Sequence, residues 1–324
     1  LIALLGGCTS TSVTEKYQDK RNDIINVKDK VIEFETGNVL IGSVSRLYMS
    51  NKCLLIADHK SVDKQIHIFN KNDFSYLTSI GNFGEGPEEI TVMGCLAIDE
   101  AHHQLYVSDH AKQKIFSYDM DSVMVDSLYK PQVKTAMNET LFPSEYQYIN
   151  DTLSIAVLIK PTSTSTFNQF LGRWNMNTGE MIPMKYTHPD IQKKRITFAA
   201  SEKAGIYVEC YTRHDLMTIC SLDGELLYNI YGPDWDGGNG NKLQSFGTVM
   251  IGNDKIFVSY CGEDYARDSF PTKILVFDLE GNYLKTLETG YKISDCCYDS
   301  FNNRIILSLN DVVQFAYLDI DGII

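Results

Sequence analysis

The sequence predicts an all-β fold, a six-bladed β-propeller whose blades are four-stranded antiparallel sheets and whose ring is closed by an N-terminal strand. Three observations predict it. An apolar strand ending in small or polar residues recurs six times, over 54–58, 105–109, 154–158, 205–209, 255–259 and 304–308. Its equivalent positions Ile56, Val107, Val157, Val208, Val258 and Leu307 follow at steps of 51, 50, 51, 50 and 49 residues, which marks a repeat architecture. Finally, the two ends of the chain complement each other: the last repeat stops one strand short, and the first strand of the chain has no partner nearby.

Each element can be justified in turn. A turn precedes every repeat strand, as at Ser50-Asn51, Asp99-Glu100-Ala101 and Gly252-Asn253-Asp254, and another strand lies before that turn. A third strand follows downstream, over 66–70, 115–119, 171–175, 216–220 and 274–278, and then a fourth. Thr178-Gly179, Asp223-Gly224, Glu280-Gly281 and Asp321-Gly322 supply the positive φ that tight hairpins need. No helical periodicity interrupts the series, and a unit of this length is too long for a rung of a parallel β-helix. The last repeat reaches its third strand at 314–318, while the strand at 31–35 is an orphan. Pairing of 31–36 with 312–319 would close the ring and hide two open edges.

The composition excludes several classes. With 44% hydrophobic residues over 324 positions, 19 Tyr and 15 Phe, the chain can bury a large core. Lys+Arg number 29 against 42 Asp+Glu, a formal charge of −13, and the one basic run is Lys193-Lys194-Arg195, so nucleic acid is not an expected partner. After the first few residues no apolar run approaches the about 18 residues that span a bilayer.

The N-terminus carries a processing signal. The chain opens Leu1-Ile2-Ala3-Leu4-Leu5-Gly6-Gly7-Cys8 without an initiator Met or a basic n-region, and is expected to begin inside an apolar signal segment. Leu5-Gly6-Gly7-Cys8 resembles the bacterial lipobox, in which small residues admit the signal peptidase and the Cys thiol is diacylated. Acyl chains contribute about 0.8 kcal/mol per buried CH₂. The resemblance implies a mature protein that begins at Cys8, with the polar residues after it as a flexible tether. Residues 1–30 are thus expected to be signal remnant and tether, and 31–324 the propeller.

Seven cysteines remain, Cys53, Cys95, Cys210, Cys220, Cys261, Cys296 and Cys297, an odd number without CxxC spacing. Several sit in apolar runs where a thiol behaves as a small hydrophobe, so buried free thiols are expected. Cys210 and Cys220 flank one hairpin, but if its strands pair symmetrically about 213–214 then Cys210 faces Met217, and a disulfide there would need a different register.

The segment from Cys95-Leu96-Ala97-Ile98-Asp99 through Leu105-Tyr106-Val107-Ser108-Asp109 to Gln113-Lys114-Ile115-Phe116-Ser117-Tyr118-Asp119 resembles an NHL-type propeller blade. Gly81-Asn82-Phe83-Gly84-Glu85-Gly86-Pro87-Glu88-Glu89-Ile90 is similar to the loop after the first blade of TolB-like six-bladed propeller lipoproteins of Bacteroides-type bacteria. Glu88 replaces a glycine of that pattern and Ile90 its aromatic residue. The resemblance implies an envelope scaffold, lipid-anchored in the periplasm or at the outer-membrane surface, and carries no activity with it.

In such blades the loops joining strands two and three share a face with the crossovers between blades. This gathers Asp58, His59, Asp109, His110, Arg213, His214, Asp264, Arg267 and Trp235 as candidate ligand-binding residues. Asp-His recurs in two adjacent blades, which reads either as a cation site or as each Asp capping its own turn, the reading we favour. The crossover 231–241 is rich in glycine and oxygen ligands, but it lacks the spacing of an EF-hand, so no cofactor is expected and calcium is the weak alternative. The glycines of 81–90 suggest a phosphate cradle only until Glu85, Glu88 and Glu89 are counted against it. No G-x-S-x-G, H-E-x-x-H or strand-linked GxGxxG occurs, and no catalytic residue is assigned.

Two functions follow. The favoured one is a non-catalytic, monomeric recognition scaffold binding a glycan, peptide or protein of the envelope through the nine residues above. The alternative, on resemblance to NHL-related lactonase propellers, is a metal-dependent hydrolase, which requires carboxylates of three or more blades to converge at the central channel; such convergence is not expected.

Overall fold

A computed structural model describes residues 14–126, 128–192, 194–240 and 242–324. The repeat strands are the second strands of six sheets, and their sequence is legible because each is enclosed by neighbours on both faces. Cys53–Asp58, Ile206–Tyr211 and Arg304–Leu309 are buried at every position, so they read as continuous apolar runs where a half-exposed strand would alternate.

Blade 1 comprises Ser45–Met49, Cys53–Asp58, Lys64–Asn70 and Tyr76–Asn82, from the channel outward. Blade 2 comprises Met93–Asp99, Gln104–Asp109, Lys114–Asp119 and Gln132–Ala136, with a short helix, Met120–Val125, before its outer strand. Phe142–Asn150, Leu153–Pro161, Phe167–Trp174 and Met181–Pro183 form blade 3. Blade 4 holds Ile196–Ser201, Ile206–Tyr211, Leu216–Ser221 and Leu226–Tyr231, and blade 5 holds Leu243–Ile251, Lys255–Asp264, Lys273–Asp278 and Tyr283–Glu288. Ile293–Asp299, Arg304–Leu309 and Phe315–Asp319 make the first three strands of blade 6. The four turn glycines expected, Gly179, Gly224, Gly281 and Gly322, all have positive φ. Cys210 pairs with Met217 as the hairpin symmetry requires, and all seven described cysteines are free and buried.

Blade 6 is completed by Val31–Glu33, antiparallel to its third strand with Val31 opposite Leu318 and Glu33 opposite Ala316. Phe34 continues the ladder through its N–H to the Phe315 carbonyl and stacks on Phe74 of blade 1, ring centroids 3.9 Å apart. Charged groups around the same Phe74 ring fasten the junction further. Asp299 takes Lys71 Nζ at 3.2 Å and Arg304 Nε at 3.3 Å, and the Arg304 guanidinium lies over Phe74 and Tyr317. The hydrophobic core is correspondingly divided: six clusters of buried side chains each lie between two adjacent blades, as where Ile66 and Ile68 of blade 1 meet Leu96 and Val107 of blade 2.

The free tether expected over 9–30 is corrected from residue 14 onward. Glu15–Tyr17 adds a parallel fifth strand to blade 4, pairing with Asn229 to Tyr231, and Ile24–Asn26 does the same on blade 5, pairing with Thr286 to Glu288. Between them Arg21 enters the crevice between these blades, with Nη1 2.7 Å from Asp215 and the guanidinium near the rings of Phe246, Tyr260 and Phe277. Outer strands present unpaired N–H and C=O groups, and a polar segment suffices to satisfy them because main-chain pairing asks little of side chains. Cys8 and the lipobox lie outside the described residues. Among the described residues, no helix is long and apolar enough to cross a membrane.

Candidate functional site

The strand-two-to-three loops and the interblade crossovers share one face, and the first strands of all six blades line a central channel of about 1380 Å³ that opens there. Blades 1, 2 and 4 each use an aspartate to build that face. Asp58 accepts the N–H groups of Gly42 at 2.7 Å and Lys60 at 2.9 Å. Fully buried Asp109 accepts those of Thr91, Val92, Ala111 and Lys112. Asp215 joins Arg21 to the Asp234 N–H, and burial raises its pKa against the opposing pull of Arg21. Each carboxylate therefore pins a crossover to its own blade, the capping role favoured for the Asp-His pairs. Gly232 is required beside Asp215, since a Cβ there would lie 2.1 Å from a carboxylate oxygen.

Having spent its aspartate on the backbone, each Asp-His pair turns its imidazole to the channel. His59 and His110 both line it, and neither Nε2 has a hydrogen-bond partner. Burial, with Arg46 nearby, lowers the pKa of His59; burial lowers that of His110 against the pull of Asp109 and Glu145. Gly94 makes the seat for His110, because a Cβ at that position would come within 2.5 Å of Nε2.

Deeper, the innermost strands leave edge groups facing the channel, and side chains of neighbouring blades satisfy them. Asp295 of blade 6 accepts the Leu47 N–H of blade 1 at 2.8 Å and the Thr248 hydroxyl of blade 5 at 2.7 Å. Thr197 donates to the Gly247 carbonyl at 2.6 Å, and Gln147 accepts the Ala200 N–H at 2.6 Å. Desolvation raises the pKa of Asp295, although Thr248 and Leu47 resist it. Against this girdle one pair stands apart. Arg46 of blade 1 reaches Glu145 of blade 3 with Nη1 at 2.6 Å, and the two side chains remain 48% and 36% exposed to the channel. Burial works against the Arg46 charge, and Glu145 with Tyr48 and Asp295 together more than offset it, so the guanidinium stays ionised.

Of the nine residues expected from sequence, the structure brings only His59 and His110 to the channel lining. Arg213 lies over the Tyr265 ring, 3.1 Å from its centroid. His214 sits 3.8 Å from Asp236 and 6.0 Å from the Trp235 ring, and Trp235 packs against His188 and Tyr231 of blade 4. Asp264 caps the short 3-10 turn Tyr265–Arg267 through the Ala266 N–H, and Arg267 pairs with Glu263 on the exposed rim. These five lie over blades 4 and 5 and do not meet the histidines.

Sequence reasoning passed over Arg46, Glu145 and Asp295. The signal available was a charge inside an otherwise apolar first strand, as in Ser45–Met49. Among the described residues, one group of His, Cys, Asp or Glu is close enough to share an ion: Asp99, His102 and Asp151, with ligand atoms within 4.8 Å of one another. It lies on the opposite face, in the hairpins between first and second strands of blades 2 and 3. His102 is held there by a 2.8 Å hydrogen bond to Asp99, which raises the imidazole pKa.

A family model described as a 6-bladed β-propeller, DUF5128, matches residues 10–169, which include blades 1 and 2 and the first half of blade 3. No curated protein matches the chain. Among solved structures, a Bacteroides fragilis protein described as exported is similar with a TM-score of 0.61 at 13% identity, over 94% of this chain and 98% of that one. A DUF4221 family member from Bacteroides vulgatus gives a TM-score of 0.64 at 11% identity, over 93% and 98%. A luciferin-regenerating enzyme gives 0.56 at 9%, over 89% and 94%. At such identities the likeness is one of fold.

Proposed function

We propose that this propeller is a recognition scaffold of the bacterial cell envelope, anchored through a lipidated Cys8, that holds a partner at the mouth of its channel. The Arg46–Glu145 pair carries the reading. The other channel-wall polar contacts described above join neighbouring blades, whereas these two charges belong to blades 1 and 3 and meet across an open channel, where a ligand can reach them. The exported Bacteroides fragilis protein of the same fold supports an envelope address. The competing hydrolase reading needs carboxylates free to take an ion, and here Glu145 is engaged by Arg46 and Asp295 by Leu47 and Thr248.

The test is direct. The full chain, immobilised, is screened against envelope glycans and peptides, and each binder is retested with Arg46→Gln and with Asp151→Asn on the opposite face. Loss with the first variant alone is expected; loss with the second alone overturns the reading, as does metal-dependent hydrolysis of a lactone panel. For the anchor, Cys8→Ala should release the body from membranes, and retention through a high-salt wash refutes it.

A further inference from the structure

We infer that the partner at this mouth is a polypeptide offering aliphatic side chains and one carboxylate, seated over blades 6, 1 and 2; this rests on the reading of the channel mouth as a binding site. Six apolar side chains stand out to solvent there: Val312, Leu40 and Val62, exposed by 99%, 94% and 81%, with Val44, Phe83 and Val92 about half exposed. They come from separate loops that main-chain and side-chain hydrogen bonds join into one surface. Gln314 Nε2 donates to the Ile41 and Gly42 carbonyls, which ties the Val312 loop to the Leu40 crossover. The His59 N–H meets the Val44 carbonyl at 3.0 Å, the Phe83 N–H the Asp63 carbonyl at 2.7 Å, and the His110 N–H the Val92 carbonyl at 2.9 Å. The arc is therefore braced at every step, and a partner would not have to order it.

Val44, Phe83 and Val92 continue into the channel wall, where they meet His59, Lys60, His110 and Arg46. With both imidazole pKa values lowered by burial, Arg46 and Lys60 are the cations of this part of the wall, and Arg46 is the one that faces Glu145 across the channel. Arg46 contacts Glu145 through Nη1 alone. A guanidinium pairs best with a carboxylate through two parallel N–H bonds, so an incoming carboxylate can replace Glu145 and gain a contact that the internal pair lacks. The apolar rim decides between ligand classes. Sugars are held by flat aromatic faces, and this arc offers branched aliphatic groups with the single ring of Phe83, which suit the side chains of a peptide. The rim over blades 3 and 5 is different in kind, with the Ser/Thr turn at 162–166, the Asp264 and Arg267 side chains and the partly exposed rings of Phe167 and Tyr265.

The test uses the full chain and labelled synthetic peptides rich in Leu and Val with one Asp, matched peptides with Asn or Lys in its place, and oligosaccharides of alginate and chitin, read by fluorescence anisotropy. Asp-containing peptides should bind, and Kd should rise roughly tenfold on Asp-to-Asn replacement in the peptide, with Arg46→Gln, and with Leu40→Asp or Val312→Asp. Glu145→Gln should tighten binding, because it removes the internal competitor. Unfolding midpoints of the variants report whether each is folded. Peptide affinity indifferent to Arg46→Gln, or no peptide binding, overturns the inference. Alginate binding at the mouth without peptide binding overturns it while leaving the recognition scaffold standing, and probes displaced only by Asp151→Asn overturn both.

Discussion

Asp109 is enclosed completely and holds four backbone N–H groups that have no other acceptor in their turn. Asp109→Ala should lower the free energy of unfolding by about 1–3 kcal/mol in a urea titration, since four part-buried donors lose their acceptor. His110→Ala, whose Nε2 has no partner, should cost far less. The histidines also set a pH dependence. Burial holds His59, His67, His110, His188 and His214 below their ordinary value, so as pH falls through about 6.5 the unfolded chain takes up protons first. Stability should decline progressively from there downward, seen as a falling urea midpoint between pH 7.5 and 5; His102, raised by Asp99, contributes in the opposite sense, its stabilisation present in acid and lost as pH rises through its folded pKa. A midpoint that rises toward pH 5 would contradict this balance. At this scale the sequence showed that Asp-His pairs recur, and it could not say that the two neighbours would part company, one to the backbone and the other to the channel. Arg46 and Glu145 carry no local motif at all: they meet across 99 positions, and only ring geometry brings them together.

Among the elements, the second strands were legible because burial on both faces leaves a nearly continuous apolar run, and Val31–Glu33 was legible because Val31 and Ile32 are apolar with nothing adjacent to pair with. Glu15–Tyr17 and Ile24–Asn26 were not, for a three-residue strand held by main-chain bonds has no side-chain periodicity to display. Arg21 gives that segment a specific hold. Arg21→Ala leaves Asp215 buried without its counter-ion and should cost about 3–5 kcal/mol in chemical denaturation, whereas Lys16→Ala, at an exposed contact, should cost little. Deletion of residues 14–26 should lower the thermal midpoint, and deletion of 14–36 should lower it further by opening blade 6. Equal midpoints for the two truncations would remove the case for closure at 31–33.

For the whole molecule, the core is a ring of six interfaces around an open channel, so no blade can be lost without exposing two of them. The thiols share this protection. Burial raises the pKa of all seven described cysteines, that of Cys95 and Cys220 to about 12, which keeps them protonated and unreactive. A thiol reagent at pH 8 should therefore find no reactive group among them in the native protein and seven after denaturation; rapid native labelling of any would contradict their placement. The segment laid along blades 4, 5 and 6 bears on time as well as on strength. It precedes in the chain the blades it binds, so Glu15 must wait for Asn229, 214 positions later, and Val31 for the strand that ends at Asp319. Glu15–Tyr17 can dock once blade 4 exists and Ile24–Asn26 once blade 5 exists, but the ring keeps a gap until Val31–Glu33 meets the third strand of blade 6. The segment thus acts as a drawstring, laid down blade by blade in chain order, and its last strand is the one that shuts the ring.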